Sequence, residues 1–438
     1  MAVSVLAFGL VLAPSVSASA ATSTPTPSAT TTKKKKATPK PLPGAEKKPQ
    51  ASECLTLAKF DKKAIPTAEE QRTWNWPGER LQYAQAWQLT RGKGVVVAVV
   101  DSGVDAQHPQ LRGRVRTGVD VTSGKVAKGA NTDCLGHGTS VAGIIAAAPR
   151  EGVAMTGMAP EAVIFPVRVT WGFNKDGEVK TANFIRALDE AVQQSGVRVV
   201  NVSVTVPVAS LRPAERKRFE SIVTAAEARG VLIVAASGNV SSTGPYAGQQ
   251  VENYPAALAT THRNVIAVTG LAPDGKIAPE AITGPWVTVA APGSNLLAPM
   301  RGTDTLVYRV GTSFATPYVS GLAALLVAHS PELTPSQIRQ AIEMTAEHPS
   351  TNPSRSTTGY GMVNPPSALT AELPSAVPES TPRAAAPLTP STPPDDLART
   401  LSLALAGVAV AFAVLLPVGA VVVRLGRARR WRPGRLPG

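Results

Sequence analysis

The sequence is poor in cysteine, histidine and aromatic residues. Its 438 residues include two cysteines, five histidines and 5% aromatic side chains. Two cysteines exclude the dense disulfide framework of a small secreted domain. The one local Cys/His pair, Cys134 and His137, falls short of the three or four ligands that a zinc site needs. The middle of the chain also lacks a basic stripe with interleaved aromatic residues, so we expect no nucleic-acid partner.

Positive charge is concentrated at the two ends, although the formal net charge is +14. The seven lysines between residues 33 and 48, offset by Glu46, and the six arginines between residues 424 and 435 supply twelve of these charges. Everything between them is nearly neutral. The high net charge therefore does not indicate a basic binding surface on the folded part of the chain.

The first apolar run lacks the lysine or arginine that usually precedes the core of a signal peptide. Residues 1–20 nevertheless end in Ala18-Ser19-Ala20, a small-x-small pattern that predicts cleavage before Ala21. Either translation starts upstream of Met1 or the signal peptide is unusual, and a buried N-terminal strand is the alternative. Residues 21–50 are rich in Thr, Pro and Lys and are expected to be disordered.

Charge is absent from residues 401–423, an apolar stretch near the C-terminus. As a helix rising about 1.5 Å per residue it is roughly 35 Å long, which is enough to cross a bilayer. Two aspartates precede it and arginines fill residues 424–438, so the tail is predicted to be cytoplasmic and the bulk of the chain to lie outside the cell. The Pro-rich linker 371–398 separates this stretch from any core, which argues against a buried core helix.

Between the ends, short apolar runs alternate with longer Ala-rich segments. The runs are VVVAVV (95–100), AVIFPVRV (162–169), VRVVNVSV (197–204), VLIVAAS (231–237) and NVIAVTG (264–270). The Ala-rich segments include residues 181–196 and 214–230. This alternation predicts an α/β domain over 94–370, with a mainly parallel sheet and helices on both faces, preceded by an extension over 51–93. In such sheets the chemistry is expected at the carboxyl ends of the strands.

Reactive residues occur where this rule places the chemistry, at predicted strand ends and helix starts. Asp101 follows VVVAVV, His137 opens the segment HGTSVAGIIAAA, and Asn239 follows VLIVAAS. The stretch GTSFATP places Ser313 at the start of an apolar helix, where the helix dipole favours negative charge. Serine becomes a good nucleophile only when a base takes its proton and a carboxylate orients that base. The order Asp, His, Ser is one of three known chain orders for this triad.

The stretches VVDSGVD, GHGTSVAGI, AASGN and GTSFATPYVSGLAAL resemble the four signatures of the subtilisin-like serine proteases, in the order that the family shows. The resemblance covers about residues 95–369. It implies a subtilisin-like fold in which Asp101 orients His137, His137 is general base and then acid, and Ser313 is the nucleophile. It also implies that the Asn239 side-chain amide and the backbone N–H of Ser313 bind the oxyanion.

The same resemblance implies that a substrate strand adds between two segments, around residues 202–207 and 235–239. The candidate substrate-binding residues are Ser203, Val204, Thr205, Ala235, Ala236, Ser237 and Gly238. Where the family commonly has glycine-rich sequence, this chain has Val-Thr-Val-Pro after Ser203. Thr205 is therefore predicted to narrow the first specificity pocket and to favour small or linear side chains, unless it points away from the pocket.

In an exported protein both cysteines lie in an oxidising compartment, where the only partner for Cys134 is Cys54. We predict this disulfide in preference to a metal site or a thiol nucleophile. In the chain-entropy model a loop of about 80 residues makes it worth roughly 4.5 kcal/mol. Pinned so close to His137, the extension is predicted to be a permanent strap rather than a removable propeptide. No metal or other cofactor is expected, since no loop shows calcium-ligand spacing.

The signal peptide, disulfide-tied extension, Pro-rich linker, single transmembrane helix and basic tail together resemble the mycosins, subtilisin-like proteases associated with actinobacterial type VII secretion systems. The resemblance implies a single-pass membrane endopeptidase with an extracytoplasmic catalytic domain. Its expected partners are secreted polypeptide substrates, membrane components of the secretion complex and the lipid bilayer. Two alternatives remain open: a mainly structural cap of that complex, and a free-standing tethered protease.

Overall fold

The structure is a computed structural model that describes residues 45–172, 179–348, 355–373, 413, 415–428 and 430–431. The chain divides into two units, Met1–Pro41 and Leu42–Gly438. The first unit lies outside the described residues, and so do the predicted signal peptide and most of the predicted linker and membrane span. Among the residues that are described, no helix combines the length and the apolar character needed to cross a bilayer.

An eight-stranded sheet forms the centre of the described structure. The strands of the described residues are β1 (Val96–Asp101), β2 (Gly118–Asp120), β3 (Ala127–Gly129), β4 (Val163–Arg168), β5 (Val197–Val202), β6 (Val206–Pro207), β7 (Leu232–Ala236), β8 (Asn253–Tyr254), β9 (Val265–Leu271), β10 (Val289–Pro292), β11 (Leu296–Pro299) and β12 (Leu306–Arg309). The sheet order is β10-β9-β7-β5-β1-β4-β2-β3, and the two pairs β11-β12 and β6-β8 form small antiparallel sheets.

All pairings in the large sheet are parallel except β2 with β3 at one edge. The five apolar runs identified in the sequence become β1, β4, β5, β7 and β9, which are neighbours in this sheet. The predicted mainly parallel α/β fold is confirmed. The carboxyl end of β1, in the middle of the sheet, carries Asp101.

Helices cover both faces of the sheet. The α-helices of the described residues are α1 (Ala68–Thr73), α2 (Trp76–Leu81), α3 (Tyr83–Ala86), α4 (His137–Ala146), α5 (Thr181–Gln193), α6 (Pro213–Ala228), α7 (Thr312–His329), α8 (Pro335–Thr345), α9 (Arg355–Thr358) and α10 (Pro365–Leu369). Alternate residues of β1 point to opposite faces, as the period of a strand requires. Val97 and Val99 belong to the core that contains α4 and α7, whereas Val96, Ala98 and Val100 pack with α5 and α6.

Residues of the N-terminal extension form part of the core of the domain. Leu81, Tyr83 and Ala86 are buried in the same core as α4 and α7. Contacts with the catalytic domain also begin before the expected start at residue 51, because the Glu46 carboxylate accepts hydrogen bonds from the Trp171 N–H at 2.8 Å and from Asn183 at 3.2 Å. Removing the extension would therefore expose core residues as well as surface.

Candidate active site

The buried carboxylate of Asp101 contacts the His137 imidazole. Nδ1 of His137 lies 2.8 Å from Oδ1 and 2.9 Å from Oδ2 of Asp101. His137 is the first residue of α4, and Gly136 caps that helix with φ 76°. Glycine is also needed at position 138, where a Cβ would overlap the carbonyl oxygen of Gly103. The two glycines thus let the start of α4 sit directly against the end of β1.

A second buried carboxylate, Asp133, holds the loop that leads into α4. Its Oδ1 accepts hydrogen bonds from the Ser102 hydroxyl and the Leu135 N–H, both at 3.0 Å. Its Oδ2 accepts from the N–H and hydroxyl of Thr139, at 2.9 and 2.7 Å. Four donors satisfy the charge away from water. The sequence analysis missed this residue, whose only local signal is an acidic side chain just before a helix N-terminus.

Ser313 is the second residue of α7 and is tied to the end of the β5 strand. The Ser313 hydroxyl donates to the carbonyl oxygen of Ser203 at 3.0 Å, and the Ser203 hydroxyl donates to the carbonyl oxygen of Ser313 at 2.7 Å. Pro317, four residues further along α7, has no N–H to donate to that same carbonyl. The bond from Ser203 supplies the donor that a regular helix would have provided.

The orientation of the Asn239 amide is fixed by Thr312. Oδ1 of Asn239 lies 3.0 Å from the Thr312 backbone nitrogen and 3.2 Å from its hydroxyl. A backbone N–H can only donate, so the oxygen faces Thr312 and the NH₂ group is turned the other way. Gly311 precedes Thr312 with φ 126°, and a Cβ there would lie 3.2 Å from Nδ2 of Asn239. Asn239 is exposed at the surface of the cleft.

These side chains surround one cavity of about 660 Å³. Its lining includes seven of the predicted site residues: His137, Ser203, Val204, Thr205, Gly238, Asn239 and Ser313. Thr205 thus borders the cavity, as a residue that narrows a specificity pocket would. Asp101 is behind His137 and fully buried. Residues more than two hundred positions apart in the sequence meet here because β1, β5 and β7 end at the same edge of the sheet.

Three predicted substrate-binding residues are not among the residues that line the cavity. Ala235, Ala236 and Ser237 are buried, and Ala235 pairs with neighbours on both sides in the sheet. The Ser237 hydroxyl donates to the carbonyl oxygen of Ile282 at 2.6 Å. The strand β7 continues to residue 236, and Gly238 and Asn239 are the members of the segment 235–239 that line the cavity. Substrate contact by Ala235, Ala236 and Ser237 stays a prediction.

Several lining residues carried no recognisable signal in the sequence. Tyr246, Gln249 and Glu280 line the cavity from turn-rich segments without periodicity. Asn253 also lines the cavity, and its amide donates to the carbonyl oxygens of Val251 and Ser237, at 2.9 and 3.2 Å. A Cβ at Gly238 would lie only 2.5 Å from that amide nitrogen. Asn253 therefore packs beside Gly238 at the edge of the cavity, a contact that the sequence analysis did not include.

The predicted disulfide is present. Cys54 and Cys134 are bonded with their Cα atoms 4.5 Å apart, and the adjacent Leu55 N–H donates to the carbonyl oxygen of Cys134 at 2.8 Å. Because Cys134 is oxidised, the metal-ligand and thiol-nucleophile alternatives do not apply to it. Within the described ranges, no group of three or more His, Cys, Asp or Glu side chains is arranged to hold a metal ion.

Comparisons with known proteins agree with this geometry. The sequence model of the subtilase family matches residues 92–363. Mycosin-1 of Mycolicibacterium smegmatis is 31% identical over 392 residues, which span 81% of this chain and 85% of that protein. Thermitase of Thermoactinomyces vulgaris is 35% identical over 270 residues, 61% of this chain and 87% of thermitase.

A solved structure has a similar fold. The MycP3 protease from the type VII (ESX-3) secretion system superposes with a TM-score of 0.59 at 30% identity, covering 76% of this chain and 97% of that one. The family motifs, the parallel sheet and the cavity at the carboxyl ends of its strands all lie within the matched region. The chain belongs to the subtilase family of serine endopeptidases, on its mycosin branch.

Proposed function

We propose that this protein cleaves polypeptides through an acyl-enzyme, with Asp101, His137 and Ser313 as its catalytic residues. The observation that carries the proposal is the 2.8 Å contact between Asp101 and Nδ1 of His137, beside a cavity lined by both His137 and Ser313. A carboxylate only accepts, so the proton resides on Nδ1 and Nε2 is the basic nitrogen.

In the first half-reaction the Ser313 oxygen attacks the scissile carbonyl carbon while its proton passes to Nε2 of His137. The carbonyl electron pair moves to oxygen and forms a tetrahedral oxyanion. When this intermediate collapses, the C–N bond breaks and the amine leaves with the proton from His137. Water then attacks the acyl-enzyme by the same route and restores Ser313.

The oxyanion is assigned to the Asn239 amide and the Ser313 backbone N–H. Support comes from Thr312, which holds Oδ1 of Asn239 and so directs the NH₂ group away from itself. Thr312 and Ser313 are the first two residues of α7, where N–H groups have no partner within the helix and the dipole favours an anion. A single donor of this kind is typically worth about 3–4 kcal/mol of transition-state stabilisation.

The residues around the cavity support a proposal for the side chain that precedes the scissile bond. Thr205 and Asn253 both border the cavity, so we propose that this side chain is small or linear. Ser203, Val204 and Gly238 are the remaining predicted contacts that line the cavity, and we propose that an extended polypeptide binds along them.

The cellular role extends the proposal to the whole chain. Mycosin relatives, and a solved relative named as part of a type VII secretion system, support a role in that pathway. We propose a signal peptide over 1–20, a permanent strap over 51–93 and a catalytic domain over 94–370. Residues 401–423 would cross the membrane once, with 424–438 in the cytoplasm. The secretion complex and its exported polypeptides are the proposed partners.

The test compares four strains: wild type, a deletion, Ser313→Ala at equal abundance, and Ser221→Ala as a control at an exposed serine. We expect Ser313→Ala to abolish cleavage of exported polypeptides and of peptides by the purified protein, while Ser221→Ala behaves as wild type. If export fails in the deletion but persists with Ser313→Ala, the fold has a structural role in addition to proteolysis. Export unaffected in every strain would leave a free-standing tethered protease.

A further inference from the structure

One partly buried arginine connects the two helices that carry the proposed base and nucleophile. Arg309 is the last residue of β12, four positions before Ser313. Its Nε donates to the Ser140 hydroxyl at 2.9 Å and its Nη2 donates to the carbonyl oxygen of Gly136 at 3.1 Å. Gly136 is the N-cap of α4 and Ser140 lies in its first turn. The guanidinium therefore binds the start of the helix that begins with His137.

Aromatic rings enclose the same guanidinium. Its central carbon lies 5.0 Å from the ring centroid of Phe60, in the N-terminal extension, and 5.4 Å from that of Phe314. Phe314 directly follows Ser313, and its ring lies 5.0 Å from the His137 imidazole. A cation held over aromatic faces and screened from water is bound more firmly than an exposed one. Arg309 thus contacts the start of α4, which carries His137, and the ring of Phe314, which follows Ser313.

The charge of Arg309 persists in this environment. Burial lowers its pKa to about 10, while the nearby carboxylates of Asp133 and Asp101 favour the charged form. The guanidinium is therefore protonated at neutral pH and keeps all its N–H donors. A planar fork fixes both the distance and the angle between two acceptors, which a lysine ammonium does not.

We propose that Arg309 is a positioning residue, which holds the starts of α4 and α7 at the separation that proton transfer between Ser313 and His137 requires. The inference rests on the proposed function. Among the described residues that line the cavity, Val310 and Phe314 are present and Arg309 is not. Its loss should therefore slow the chemical step and leave substrate binding almost unchanged.

The test replaces Arg309 in the full-length protein by Met, which keeps the apolar stem, and by Lys, which keeps the charge but not the fork. Arg150→Met is the matched control, because Arg150 ties the same β11-β12 hairpin through Asp304 at 2.9 Å but follows the end of α4 instead of contacting its start. Peptide hydrolysis gives kcat and KM. The rate of inactivation by phenylmethylsulfonyl fluoride reports the reactivity of Ser313 without a peptide, and thermal unfolding reports stability.

We expect Arg309→Met to lower kcat about 10- to 100-fold with KM within twofold, since small misplacements of reacting groups have effects of this size. Inactivation should slow in parallel, Arg309→Lys should recover part of the loss, and Arg150→Met should keep wild-type kcat. If a folded Arg309→Met or Arg309→Lys variant keeps both rates within twofold of wild type, the inference is overturned. If the wild-type protein itself is not modified at Ser313, the proposed function fails first and takes this inference with it.

Discussion

The two sides of the active-site cavity are held together in different ways. On one side, called here the extension side, residues 102–110, 133–140 and 300–309 are cross-linked by a disulfide, by the Asp133 carboxylate and by Arg309, and the N-terminal extension packs against them. On the cleft side, residues 238–253 and 279–283 are mostly exposed and contain no cysteine, and they are joined by hydrogen bonds such as that from the Val240 N–H to the Glu280 carbonyl oxygen at 2.7 Å.

This difference separates two requirements of a protease. Proton transfer tolerates little movement of the reacting groups. His137, the proposed base, lies on the extension side, where the cross-links are. Substrates vary in shape, and the cleft side presents loops that can be altered without disturbing β1 or α4. Substitutions on the extension side should therefore act on stability and on kcat. Substitutions on the cleft side should act on selectivity, except at Asn239, which belongs to the cleft side but is proposed to bind the oxyanion.

The largest expected change in stability follows from breaking the disulfide. Replacing Cys54 and Cys134 together by Ala should lower the free energy of unfolding by roughly 2–4.5 kcal/mol, because the unfolded chain regains the entropy of an 80-residue loop. Denaturant unfolding measures this. We expect kcat/KM to change less than threefold at 25 °C, since Asp133 and Arg309 still hold α4. A stability loss below 1 kcal/mol would show that the cross-link contributes little to the extension side.

The exception on the cleft side gives the next largest effect. Asn239→Ala should lower kcat by about 10²–10³, or roughly 3–4 kcal/mol, with a small change in KM, because the lost amide acts mainly on the transition state. Thermal unfolding should change little, since Asn239 is exposed and water can replace it beside Thr312. If Asn239→Ala mainly raised KM, Asn239 would instead contribute to ground-state binding of the substrate. The division between the two sides would then have no exception.

Acid should weaken the extension side specifically. His108 is almost fully buried there, and burial lowers its pKa to about 4. The unfolded chain takes up this proton near pH 6.5 and the folded one only near pH 4, so the contribution is complete above pH 6.5 and is lost as the pH falls towards 4.

The expected loss over that interval is up to roughly 3 kcal/mol. His108→Asn should flatten the pH dependence of the unfolding free energy between pH 6.5 and 4, compared with His262→Asn at a half-exposed histidine as the control. Equal slopes for wild type and His108→Asn would mean that other groups cause the acid sensitivity.

The smallest expected effect concerns selectivity on the cleft side. Thr205→Gly should widen the cavity beside Asn253 and raise the kcat/KM for Phe relative to Ala before the scissile bond by about tenfold, or roughly 1.4 kcal/mol. A peptide library with matched sequences measures the ratio. Wild-type protein that already cuts efficiently after Phe or Tyr would contradict both this prediction and the proposed small-residue preference.

Local patterns predicted the mainly parallel α/β fold well. Short apolar runs of β-branched residues, alternating with longer Ala-rich segments, favour the buried strands of a parallel sheet. The contacts of Arg309 with Gly136 and of Asn253 with Ser237 were not predictable, because each joins segments whose proximity depends on the whole fold. The end of β7 within the segment 235–239 was not predictable for the same reason, because sequence alone does not show at which residue a strand leaves the sheet.

The disulfide between Cys54 and Cys134 also determines which products a proteolytic cut in this protein would give. The bond closes a covalent ring that contains β1 and Asp101. Hydrolysis of any peptide bond between the two cysteines would create a new N-terminus without detaching the piece before it, so a cut near residue 90 would convert one chain into two that still migrate together. Only a reductant would separate them. Maturation and loss of the extension are therefore two separate events, and gels run with and without reductant distinguish them.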